Sequence, residues 1–342
     1  MIFAELFKDF LILQRKISFE NKILKNMKLH HSIGIDIGGT NTDIGIVRAD
    51  GKIIDKENLH TNEYYDAELY VKDMADKIKI LLERNHIVEI DGIGIGAPNG
   101  NTYTGSIDKA PNLNFKGQVK LAEMMKKHID TKVVVSNDAN AAAYGEMIYG
   151  GAKNLDHFIT FTLGTGVGSG IIIDRKLILG STSTAGELGH SIIIINGRQC
   201  GCGRKGCLET YTSAGGIRRT ALELMEQNPQ YNGVLKQVEP EKLTSKMVGD
   251  AANAGDPIGL QTFENVGYLL GIAMANAVTF SAPQAIFLMG GPVHAGEVLM
   301  KPLRKSFDEH LLNIYQGTVE IRVSELKDNE VAILGAAALC QL

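Results

Sequence analysis

Several features are scarce in this 342-residue chain. No apolar run approaches the ~18 residues that a membrane span needs, so no membrane partner is expected. No basic run interrupts a net charge of −4, which argues against a nucleic-acid surface. Only four cysteines occur, which suggests a reducing compartment and a cytoplasmic protein. The GxxxxGK[ST] loop is absent and no GxGxxG opens a helix after a strand, so the P-loop and Rossmann alternatives fall away. There is no low-complexity linker. What remains is 44% hydrophobic and 22% charged, the composition of an ordinary soluble globular protein long enough for two domains with their own cores.

Three of the four cysteines are crowded together. They lie in Cys200-Gly201-Cys202-Gly203-Arg204-Lys205-Gly206-Cys207-Leu208-Glu209, preceded by Gly189-His190. Cys200, Cys202, Cys207 and His190 make a Cys₃His set with spacing suited to tetrahedral zinc. A disulfide would strand one of the three thiols, and Cys200 and Cys202 are too close in sequence to bridge comfortably. The alternative is a glycine-rich surface loop with free thiols.

The first 26 residues stand apart. Phe3, Leu6, Phe7, Phe10 and Leu13 recur at helical spacing, but Glu5, Lys8 and Asp9 interrupt any signal-peptide core and no small-residue cleavage site follows. Met27 immediately precedes the first strand-like run. Residues 1–26 are therefore expected to be an N-terminal extension, with a docked amphipathic helix or a regulatory segment as alternatives.

From residue 30 strands and helices alternate. Residues 32–38, 43–49 and 52–59 are expected to form three consecutive strands, with Asp50-Gly51 as one turn. A helix is predicted over 67–84, burying Leu69, Val71, Met74, Ile78, Leu81 and Leu82. Strand 90–97, helix 119–128, strand 132–136 and helix 140–149 follow. The order then restarts with strands 157–163 and 168–174. Offset by 125 residues, Gly39, Thr40 and Gly45 match Gly164, Thr165 and Gly170, which suggests a duplicated α/β unit with a ligand cleft between its halves. Helices near 211–227, 244–254 and 257–281, strand 285–289, helix 295–312, strand 319–323 and helix 330–340 complete the second half.

Three glycine turns carry a phosphate argument. In Asp36-Ile37-Gly38-Gly39-Thr40-Asn41, the glycine pair lets the backbone approach an anion while Asp36 can hold a hydrated Mg²⁺. Gly164-Thr165-Gly166 repeats the design, and Gly290-Gly291 follows an apolar strand where a nucleotide could lie against exposed backbone. Each turn alone is also what a hairpin needs. A chemical centre is expected near Asn137-Asp138-Ala139-Asn140, where an apolar strand gives way to an alanine-rich helix. Asp138 there could project into the cleft, or the Asn-Asp pair could be a helix cap and nothing more. Asn112, and the Gly96-Ala97-Pro98-Asn99-Gly100 loop, offer amides suited to hydroxyl groups, although such residues are also common turn formers.

Taken in order, Asp36-Ile-Gly-Gly-Thr40, Asn137-Asp138-Ala-Asn140, Gly164-Thr165-Gly166-Val-Gly168, Glu187-Leu-Gly189-His190 and Cys200-x-Cys202-Gly-x-x-Gly206-Cys207-x-Glu209 resemble the ROK family of repressors and sugar kinases. The resemblance runs from about Met27 to the C-terminus. It implies a duplicated actin-like ATPase (ribonuclease H-like) α/β fold of two domains with an interdomain cleft. Residues 27–137 with 325–342 would form the smaller domain, and 138–324 the larger one, with the zinc loop and a dimer surface. It further implies ATP- and Mg²⁺-dependent phosphorylation of a hexose at its 6-hydroxyl, glucose first, with N-acetylmannosamine or fructose as alternatives. Asp138 would be the general base. Asn112, Asn137, Glu187, His190 and Glu209 would hold the sugar, and His190, Cys200, Cys202 and Cys207 a structural Zn²⁺. Four protein ligands leave that zinc no open position for Lewis-acid chemistry. A homodimer or tetramer is implied as well.

Two departures bear on the sugar. The family's Gly-x-Pro-Gly reads here with an inserted Asn99, and Ser213-Ala214-Gly215 replaces the usual Ser-Gly. A competing class is the family's sugar-sensing repressors, whose helix-turn-helix domain needs roughly 60 residues ahead of the kinase-like part. Only about 26 to 30 precede the first strand here. A non-catalytic sugar-binding regulator is the remaining alternative.

Overall fold

The computed structural model describes residues 30–110 and 112–342, and the expected extension over 1–26 lies outside them. Strands β1 (His31–Ile37), β2 (Thr42–Arg48) and β3 (Ile53–Leu59) form an antiparallel meander. β4 (Gly92–Ala97) then joins β1 in parallel and is buried along its whole length, as a central strand covered on both faces must be. Three short strands, β5 (Gly100–Asn101), β6 (Ser106–Asp108) and β7 (Gln118–Val119), make a small separate sheet. β8 (Val133–Asn137) closes the first large sheet, in the order β3-β2-β1-β4-β8.

The pattern repeats in the second half. β9 (Phe158–Leu163), β10 (Val167–Ile173), β11 (Lys176–Leu177), β12 (Ala285–Met289) and β13 (Glu320–Val323) are ordered β11-β10-β9-β12-β13. The duplicated unit expected from the glycine turns is therefore present strand for strand. The turns themselves differ, since Gly38–Asn41 separates β1 from β2 while the shorter Gly164–Gly166 separates β9 from β10.

Each sheet has its own core. Ile33, Ile35, Ile44, Ile93 and Ile95 pack beneath helix Ala67–Arg84 in the first. Ile159, Phe161, Ile286 and Leu288 pack against helices that include Pro257–Ser281 in the second. Helices Asp138–Ile148 and Asp328–Ala338 cross between the sheets, and the latter lies directly on β1 and β4. A Cβ at Gly94 would stand 1.8 Å from the Ala336 carbonyl oxygen, so only glycine admits this approach. No helix among the described residues is long and apolar enough to cross a membrane.

Several expectations need correction. Leu69 is 53% exposed, and Tyr70 takes the buried position instead. Val119 belongs to β7, so the helix expected over 119–128 is Leu121–Lys126. The helix expected over 211–227 is two, Glu209–Thr212 and Ala214–Gln227, because Ser213 adopts an extended conformation and its side chain accepts a hydrogen bond from Gly216 N as a cap. The helix expected from 295 begins at Glu297, after Gly296 with φ of 67°.

Candidate active site

The end of β8 resolves the ambiguity of the Asn-Asp pair. Asn137 is the cap, its Oδ1 accepting from Ala139 N at 2.9 Å and Asn140 N at 3.4 Å. Asp138 is the first residue of the helix, and its Oδ1 accepts from Ala139 N at 2.8 Å. The second carboxylate oxygen stays free. The carboxylate lies deep among protein atoms yet keeps access to solvent, and desolvation raises its pKa, only partly offset by backbone hydrogen bonds.

Asp36, near the end of β1, faces the same region. Its carboxyl is pushed up to about 7, first by burial and then by the charges of Asp138 and Asp43. Asp43 is its cross-strand partner on β2. The turn that follows is closed by Gly38 N donating to Asn41 O at 2.9 Å, and Thr40 and Asn41 are exposed. Asn112 stands against this turn, with its Cβ 3.3 Å from where a side chain on Gly39 would begin.

In the second half, Gly164 N donates to Gly166 O at 2.9 Å, and Glu209 Oε2 accepts from Val167 N at 3.0 Å. The carboxylate thereby fastens the cysteine segment to the glycine turn. Gly290, with φ of 100°, passes so close that a Cβ would lie 2.1 Å from the Leu163 carbonyl oxygen, which brings the third turn beside the second. Glu187 responds electrostatically to its neighbours. Burial raises its pKa, His190 lowers it, and Asp138 and Glu209 raise it, so these four expected site residues share one neighbourhood.

The ligand atoms of His190, Cys200, Cys202 and Cys207 all lie within 4.8 Å of one another. Cys202 Sγ is 3.6 Å from Cys207 Sγ, and Cys200 Sγ is 3.6 Å from His190 Nδ1. Tetrahedral zinc bonds imply edges of about 3.8 Å between two thiolates and about 3.6 Å between a thiolate and an imidazole nitrogen. The four groups fit that ion, and every cysteine is free rather than bridged. Hydrogen bonds from the Arg204 backbone and side chain lower the pKa of the Cys202 thiol, whereas burial raises those of Cys200 and Cys207.

A cavity of about 240 Å³ opens beside this centre, lined by Asn101, Asp108, Asn137, Asn140, Ser183 and Glu187 among others. Asn101, Asp108 and Ser183 were not legible as site residues, because they come together only through the small sheet and the loop beyond β11. Asn140 carried one signal, a carboxamide within a run of alanines and three residues from Asn137. Asn99 has φ of 53°, a left-handed conformation in which glycine is at home.

Comparisons with known proteins agree with this geometry. Residues 32–342 match the ROK family. A glucokinase of Halalkalibacterium halodurans is 34% identical over 90% of this chain and 94% of its own. A xylose repressor of Bacillus spizizenii is 28% identical over 90% of this chain but 76% of its own length. The crystal structure of a ROK family glucokinase from Streptomyces griseus, in complex with glucose and AMPPNP, aligns with a TM-score of 0.76 at 31% identity, covering 91% of this chain and 99% of that one.

Proposed function

The chain belongs to the ROK family, and on that premise we propose that it transfers the γ-phosphoryl group of ATP to the 6-hydroxyl of a hexose, glucose first. It is an ATP-dependent sugar kinase with an actin-like ATPase fold. The observation that carries this function is Asp138, whose second carboxylate oxygen is left free at the end of β8 while Asn137 does the capping. Phosphoryl transfer has a loose transition state, so positioning and charge neutralisation do most of the work. Asp138 accepts the proton of the attacking hydroxyl, and its raised pKa makes it a stronger base near neutral pH.

Glu187, Glu209, His190, Asn137 and Asn112 are the sugar-binding residues of this proposal. The turns at Gly38–Asn41, Gly164–Gly166 and Gly290–Gly291 present backbone to the nucleotide. Asp36 sits where carboxylates crowd, and a divalent cation is the group that such crowding favours. When bound there, Mg²⁺ would neutralise charge on the transferring phosphoryl group. Zn²⁺ held by His190, Cys200, Cys202 and Cys207 would brace the segment from Glu187 to Glu209. The domain division at 137/138 and 324/325, a homodimer or tetramer, and a cytoplasmic location complete the proposal.

ADP release across a panel of hexoses and N-acetylhexosamines, with Asp138→Asn as control, tests it. We expect turnover with glucose or a close relative, and a loss of at least about 10²-fold in kcat with sugar affinity kept in the variant. Activity that survives the substitution would remove Asp138 from the chemistry. Absence of turnover with every sugar in the wild type would favour a sugar-sensing regulator.

A further inference from the structure

One polar group of the cavity is left unanswered by its neighbours. Asn140 lies in the first turn of helix Asp138–Ile148 and is 2% exposed, yet its Oδ1 has no hydrogen-bond partner among the described residues. Buried side-chain acceptors are nearly always paired, so an orphan at a cavity wall asks for a ligand. Three polar neighbours on the cavity wall are already engaged. Asn101 Nδ2 donates to Asp108 Oδ2 and to Thr182 O, both at 3.2 Å. Asp108 Oδ1 accepts from Ser106 Oγ at 2.6 Å and Gln118 Nε2 at 3.0 Å, and Ser183 Oγ accepts from Thr102 N at 2.9 Å.

Position on the helix sharpens the point. Asn137 and Asn140 are three residues apart, and both line the cavity together with Glu187. An alanine at 140 would simply continue the run of Ala139 and Ala141–Ala143 and leave no orphaned acceptor.

We propose that Asn140 is a substrate-binding residue whose Oδ1 accepts a hydrogen bond from one ring hydroxyl of the hexose, distinct from the 6-hydroxyl. The assignment rests on the sugar-kinase function above. A buried acceptor that depends on the substrate for its partner discriminates strongly against an analogue lacking that donor.

The test compares wild type, Asn140→Leu, which keeps the branched skeleton without the acceptor, and Asn140→Ala on glucose and its 1-, 2-, 3- and 4-deoxy analogues. Each pair is read twice, as kcat/KM and as sugar Kd by calorimetry. In the wild type, one analogue should lose about 10²-fold or more relative to glucose. In the variants that single penalty should shrink to within about threefold while the others persist, which is how a lost contact differs from general weakening. Penalties unchanged in a folded variant, or no penalised ring hydroxyl in the wild type, would overturn the assignment. The same selective pattern in Kd without any turnover would support the Asn140 contact while refuting the kinase reaction.

Discussion

Asp36 carries a pH dependence that can be derived from its surroundings. Its carboxyl titrates near 3.8 in the ordinary state and is pushed up to about 7 in the folded protein by burial, Asp138 and Asp43. Between those values the folded protein binds a proton that the unfolded chain does not, so stability falls as pH rises through this window. The contribution is whole below the unfolded pKa and lost above the folded one. Asp36→Asn removes the titration, and in magnesium-free buffer its Tm advantage over wild type should grow between about pH 4 and pH 7, while its activity assayed with magnesium collapses. A Tm difference that ignores pH would show that burial and the neighbouring carboxylates do not hold Asp36 protonated in the folded protein. The sequence alone could offer Asn137 and Asp138 only as cap or base, since both residue types suit both tasks. Which side chain faces the helix N–H groups depends on the dihedral angles at the end of β8, where Asn137 reaches Asn140 N as the cap while both residues share Ala139 N.

Elements with a strong period and a cap were readable to within a residue. Helices Ala67–Arg84 and Pro257–Ser281 start where the side chains of Asp66 and Asp256 accept from the first free backbone N–H groups. The strands β5, β6 and β7 escaped because two or three residues hold no alternation to detect. The cysteine segment was legible as a cluster of potential metal ligands because that chemistry lies in residue type and spacing. Its tie to the second glycine turn was not, since that depends on Glu209 reaching Val167 N across the chain. Cys202→Ser should lower bound zinc, measured by metal analysis, and raise the sugar Kd by about tenfold or more through a loosened Glu187–Glu209 segment. Zinc-depleted protein that phosphorylates sugar at the wild-type rate would dismiss the brace.

At the scale of the molecule, two sheets share one strand order, and the repeated glycine turns announced that duplication. What holds the cleft's rim together has no such signal, because it joins loops distant in sequence. Asn101 Nδ2 donates to Thr182 O at 3.2 Å, Thr102 N to Ser183 Oγ at 2.9 Å, and Tyr103 Oη to Gly180 O at 2.6 Å. Ser183 adopts φ of 64°, a conformation unusual for serine, within this contact. The three bonds tie the small sheet of the first half to the loop beyond β11 in the second, at the edge of the cavity. An opening of the cleft that released sugar would have to break them, and on that premise they would favour a closed form. Tyr103→Phe deletes one neutral hydrogen bond, worth about 0.5–1.5 kcal/mol, or roughly 2- to 10-fold in an equilibrium constant. Its KM for the sugar should rise by that factor while kcat holds or increases, because the bond touches no reacting atom and its loss eases product escape. A variant with unchanged KM and a lowered kcat would instead place Tyr103 in the chemistry and remove the rim contacts from control of closure.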